Sequence, residues 1–194
     1  MQEKMEATNH ENKIFDKVSF SQKELRNRVF EQCSFNNCDF SNSNLSSNTF
    51  NECVFTNCNM AMAAFTKAKL TDVHFIDCKL IGINFFECND FMFSVNFENC
   101  LLDYASFANK KMPKTKFKNT SLKETNFSNA DISGASFTNC NLEATVFNKT
   151  VLKSTDFTTA YNYTIDPEVN FIKKAKFSKE GLSGLLAKYD ILIE

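Results

Sequence analysis

The chain has 194 residues and a net charge of −1, with 22 Phe, no Trp, four Gly and two Pro. That length suits one domain, but so little Gly and Pro leaves an ordinary globular chain short of turn residues. The near-zero charge argues against a strongly basic nucleic-acid binder and a strongly acidic decoy, and no apolar run is long enough for a membrane helix.

Residues 1–12 are polar and predict a flexible N-terminal tail. No apolar leader is visible there. Eight Cys without one point to a reducing cytoplasm and free thiols.

From Phe15 to Phe85 every fifth residue is large and apolar. The series slips by two and resumes at Met92, running on through Phe97, Leu102, Phe107 and Met112 to Phe157. Neither a helix nor a flat strand has a five-residue hydrophobic period, so each unit must be one side of a coil that turns and stacks. A slower period sets the number of sides. Every fourth unit is Phe: Phe15, Phe35, Phe55, Phe75, Phe97, Phe117, Phe137 and Phe157. Like rings stack at the strand spacing of about 4.8 Å, which predicts four sides per coil. About seven coils, on the order of 35 Å of rod, follow for residues 13–160.

The position two before each centre should also point inward and be small, as in Cys33, Cys38, Cys53, Ala63, Ala105, Thr125 and Ala135. Asn recurs two after the Phe centre, at Asn37, Asn57, Asn99, Asn119 and Asn139, where it suits a corner and can hydrogen-bond between coils.

The two-residue slip falls within 86–91 on this reading. A bulge there is expected to push Phe86, Phe91 or Phe93 toward solvent, beside the outward Ile76, Ile81, Leu101 and Tyr104. These seven form a candidate partner patch; the competing reading tucks them against the bulge. Asp90 and Lys110 fall in inward small positions one coil apart, either as an ion pair or swung outward together. Residues 11–104 carry twelve acidic and eight basic residues, and the lysines of 110–123 make the second half locally basic.

After Phe157 the repeat dissolves, and 161–194 reads as a cap and dimerisation segment. Ser178 is a helix N-cap, with Phe177 and Leu182 spaced as a hydrophobic staple. Leu182, Leu185, Leu186 and Tyr189 form one helical stripe. Ile191, Leu192 and Ile193 read as a short apolar strand. Stripe and strand together exceed what a monomeric cap needs, which predicts a homodimer.

The two His, His10 in the tail and His74 beside the Phe column, assemble no Ser/His/Asp or Cys/His constellation, and no Gly-rich phosphate loop occurs. The pairs Cys33/Cys38 and Cys53/Cys58 invite a zinc reading, but Cys38, Cys58, Cys78, Cys100 and Cys140 share one side of the coil in the inward small slot, where Cys acts as a small apolar residue. No catalytic residue, metal or cofactor is expected.

Units such as Ala130-Asp131-Ile132-Ser133-Gly134 and Cys140-Asn141-Leu142-Glu143-Ala144 resemble the pentapeptide-repeat family over about residues 13–160. The resemblance implies a right-handed quadrilateral β-helix, an all-β rod that often dimerises through C-terminal elements. Within that family the chain looks most like the quinolone-resistance group (Qnr and MfpA proteins), with Gly184-Leu185-Leu186 in the terminal helix. That likeness implies a non-enzymatic protein that binds DNA gyrase or topoisomerase IV and relieves quinolone poisoning, with no direct nucleic-acid or membrane contact. The long projecting loops and strongly acidic surface of that group are missing. The alternative is an interaction scaffold of the same family with an unrelated partner.

Overall fold

The computed structural model describes residues 8–192. Its strands are β1 (Asn9–Glu11), β2 (Ile14–Asp16), β3 (Val29–Glu31), β4 (Ser34–Asn36), β5 (Thr49–Asn51), β6 (Val54–Thr56), β7 (Lys69–Thr71), β8 (Val73–Ile76), β9 (Val95–Glu98), β10 (Lys116–Lys118) and β11 (Ser136–Thr138). All pair in parallel with the strand one coil away, Phe15 opposite Phe35 and Phe35 opposite Phe55. The ladders form two sheets. Side one carries β2, β4, β6, β8, β9, β10 and β11, and side four carries β1, β3, β5 and β7. Sides two and three are held by isolated parallel bridges such as Lys79↔Leu101 and Ser106↔Asn126. The result is a right-handed four-sided β-helix with a short helix at its C-terminal end.

Residue chemistry at each repeat position explains the coil. The centres point inward, and on side one the Phe rings stack at 4.5–5.4 Å from Phe15 to Phe177. Full burial of each ring contributes roughly 2–3 kcal/mol. The residue two after most centres has positive φ, as in Asn37, Asn57, Asn99 and Asn139. Non-Gly residues rarely adopt that region, and Asn tolerates it best. The side-chain amides there form a ladder: Asn57 donates to Asn37 at 2.8 Å, Asn119 to Asn99 at 3.0 Å and Asn139 to Asn119 at 3.1 Å.

The inward small slot has a second duty. Its Cys thiols and Thr hydroxyls donate to a carbonyl of the preceding coil, Cys58 to Phe35 at 3.3 Å and Thr150 to Phe127 at 2.9 Å. The Phe127 carbonyl also accepts the Ala130 N–H at 3.0 Å, so the hydroxyl fills its second lone pair.

Three expectations need correction. The repeat starts before residue 13: Asn9–Glu11 form β1, and the His10 ring stacks on Phe30 at 4.9 Å, filling the first central place on side four. A tail covering all of 1–12 is therefore too long, and residues 1–7 lie outside the described ones. The repeat also outlasts Phe157, because Phe177 stacks on it at 5.3 Å and Val151 and Asp156 bridge to Phe171 and Lys176. Finally, the side-one sheet spans about six turns rather than seven, while bridges and stacked rings carry the column on to Phe177.

Candidate protein-interaction surfaces

The two extra residues are Phe93 and Ser94, not residues within 86–91. Regular spacing continues through Met92, whose φ of 56° matches Asp72 and Lys114 one coil to either side. Val95 then pairs with Val73. Met92, read as a centre, is 61% exposed, whereas Phe93, expected outside, is 6% exposed and fills the interior. Asp90 sits at the central place of its unit, but its carboxylate turns outward. Lys110 is 1% exposed; its ammonium donates to Asp90 Oδ1 at 2.6 Å and to the Cys88 carbonyl, 5.2 Å from the centroid of the Phe93 ring. Of the two readings for Asp90 and Lys110, the ion pair is the one formed.

The candidate partner patch divides. Ile76, Ile81, Phe86 and Phe91 are each five residues apart, so each faces a different side of the coil. Ile76 lies in a shallow groove on side one with His74, Asn96, Glu98, Lys116 and Lys118. Ile81, Leu101 and Tyr104 share side two, where Leu101 and Tyr104 are 45% and 59% exposed. Met62, which the sequence reading passed over, joins them: its thioether lies over Gly82, where a Cβ would come within 2.5 Å of the sulfur. Its signal was the twenty-residue step from Met62 to Gly82 at the same corner. The Glu124 carboxylate beside Tyr104 pushes its phenol up. Phe86 is exposed on side three, and Phe91 is exposed with Met92 on side four.

At the C-terminus Ser178 Oγ accepts the Gly181 N–H at 3.1 Å, as an N-cap should. The helix α1 (Ser183–Leu186) lies between single 3₁₀ turns and rests on Tyr163. Gly184 permits that approach, since a Cβ there would come within 2.3 Å of the Tyr163 carbonyl oxygen. Phe177 and Leu185 pack on the core. Leu182, Leu186, Tyr189 and Ile191 are exposed, and Leu192 almost wholly so. The stripe is thus only partly used by the chain itself. Ile191 and Leu192 form no strand, with no backbone hydrogen bond to another strand among the described residues; Ile193 lies outside the described residues. Lys188 bridges Asp166 at 2.8 Å and Glu168, holding both carboxylates below their usual range.

All eight Cys are buried free thiols. Burial pushes Cys53, Cys88 and Cys140 up to about 12. Among the described residues no group of three or more His, Cys, Asp or Glu is arranged to hold a metal ion. No helix is long and apolar enough to cross a membrane.

A search among curated proteins finds no match. Among solved structures the chain is similar to full-length QnrB1, a plasmid-mediated fluoroquinolone resistance protein. Identity is 18% over 94% of this chain and 90% of that one, with a TM-score of 0.73. A trypsin-treated QnrB1 variant gives 18% identity over 96% and 91% of the two chains, with a TM-score of 0.71. HetL, a pentapeptide-repeat protein involved in heterocyst differentiation regulation in the cyanobacterium Nostoc, aligns at 15% identity over 89% and 90%, with a TM-score of 0.42. The family model described as pentapeptide repeat region matches residues 28–107 and 90–160. The chain belongs to the pentapeptide-repeat family.

Proposed function

We propose that this rod is a non-enzymatic protein-binding regulator in the cytoplasm whose partner is a type II topoisomerase, DNA gyrase or topoisomerase IV, and that it relieves quinolone poisoning. The observation that carries the reading is the match along nearly the whole rod to QnrB1, described as a fluoroquinolone resistance protein. Side two, with Met62, Leu101 and Tyr104 exposed, supplies an apolar contact. The mixed charge supports contact through such a patch better than through mimicry of a polyanion. The exposed Leu182, Leu186, Tyr189, Ile191 and Leu192 suit a second copy at the C-terminal end, and we assign that surface to a homodimer. The missing projecting loops favour a second reading, a scaffold with an unrelated protein partner. Gyrase supercoiling with ciprofloxacin, with and without this protein, separates the two. The topoisomerase reading expects supercoiling to be restored or inhibited; no effect at micromolar protein leaves the unrelated partner.

A further inference from the structure

Side four carries a pattern that the topoisomerase reading does not use. Its outward residues fall in three columns over nine rungs, from the His10 rung to the Ile172 rung, at about 4.8 Å per step. Rungs one to four present Glu11, Glu31, Glu52 and Asp72 against a single Lys69. Rungs six to nine present Lys111, Lys114, Lys153, Lys173 and Lys174 against a single Asp131. The fifth and middle rung presents Phe91 and Met92, 71% and 61% exposed. An acidic half, an apolar centre and a basic half on one flat side are complementary to the same side turned end for end.

We propose that side four binds a second copy of this chain, antiparallel, about a two-fold axis through the Phe91 rung. Such an axis lies in the contact plane, perpendicular to the rod, so each column meets itself and rung one meets rung nine. Glu11 then faces Lys173, Glu31 faces Lys153 and Asp72 faces Lys114. Val29, 39% exposed, faces Val151, and Phe91 and Met92 meet their own copies at the centre. Lys69 opposite Lys111 is the one like-charge pair. The apolar centre supplies the area removed from water, and the charge pairs fix orientation and register rather than supply most of the affinity. A polyanion would use only the basic half and would leave the acidic half and the central Phe91 and Met92 without a role. A parallel copy would set Glu31 against Glu31 and Lys153 against Lys153. This surface is separate from the C-terminal one, so disrupting either leaves a dimer held by the other, and disrupting both leaves the monomer.

The test uses full-length protein carrying Leu186→Asp and Leu192→Asp, which removes the C-terminal contact, in sedimentation equilibrium. It contains no topoisomerase, so failure of that reading does not touch it. The parent should be a dimer whose association weakens, without being abolished, as salt is raised. Glu11→Lys/Glu31→Lys and Lys153→Glu/Lys173→Glu should each self-associate about tenfold more weakly, since four exposed attractions become repulsions. Mixed together, the two variants should restore a heterodimer. Phe91→Cys should oxidise to a disulfide with its own copy, while Asn129→Cys on side three should not. A monomeric parent, or variants that fail to rescue each other on mixing, overturns the proposal. A monomer that binds heparin through Lys153 and Lys173 also overturns it and gives the basic half to polyanions.

Discussion

The half-buried ion pair at the break in the repeat offers the sharpest test of the energetics. Lys110 is 1% exposed while its partner Asp90 has a side chain 83% exposed. A fully buried pair that loses one member costs about 3–5 kcal/mol, and an exposed pair about 0–1 kcal/mol. Asp90→Asn strips the anion from an ammonium that keeps only the Cys88 carbonyl and the face of Phe93, so the cost should be about 2 kcal/mol. Lys110→Met removes the charge and keeps the stem packed. Its cost is the Cys88 carbonyl left without a donor, about 1 kcal/mol, partly offset by the apolar sulfur against Phe93. The double variant should then be more stable than Asp90→Asn alone. Urea unfolding of the four proteins closes the cycle. Additive losses, or Lys110→Met costing more than Asp90→Asn, would show that this ammonium is not a charge held in the interior by one carboxylate.

Other outcomes follow from the same geometry. Phe117→Ala should cost about 3–5 kcal/mol and Phe177→Ala less, because Phe117 is stacked on both faces and Phe177 ends the column; urea midpoints would show it. Thr150→Val should cost about 0.5–1.5 kcal/mol and Thr150→Ser less, since the hydroxyl donates to the Phe127 carbonyl, which keeps the Ala130 N–H. Thiol reagent at neutral pH should label no cysteine in the folded protein and all eight in denaturant. Asp166 and Glu168 have depressed folded values, so their bridge to Lys188 stabilises the cap above the usual carboxylate range and is lost as pH falls through those folded values. Lys188→Met should remove that acid-range loss from a Tyr-fluorescence melt.

The five-residue period made the rod legible because the interior accepts only large apolar centres and small neighbours, a constraint repeated at every unit. It failed where two registers were both apolar. Met92 and Phe93 satisfy the pattern equally as letters, and only pairing of Val95 with Val73 decides between them. His10 escaped notice because a polar tail hid a ring that stacks on Phe30 as a Phe would. The split of the candidate patch has a geometric cause: a step of five turns the chain by one side, while a step of twenty keeps the side. Reading Ile76, Ile81, Phe86 and Phe91 by fives gathered residues that face apart, and reading Met62, Gly82 and, past the two extra residues, Tyr104 by twenties gathers residues that share a corner. The exposed half of the C-terminal stripe could not be read from helical spacing alone, because Tyr163 and the two glycines decide which residues the helix presses on the rod.

The most direct measurement of the proposed function is equilibrium binding of the full-length protein to purified gyrase, for the wild type and for Leu101→Asp/Tyr104→Asp. Binding through side two predicts saturable micromolar or tighter affinity for the wild type and at least about a tenfold loss for the variant, the effect of burying two charges in an apolar contact. No saturable binding by the wild type would contradict the topoisomerase reading, and equal binding by the variant would remove side two from it.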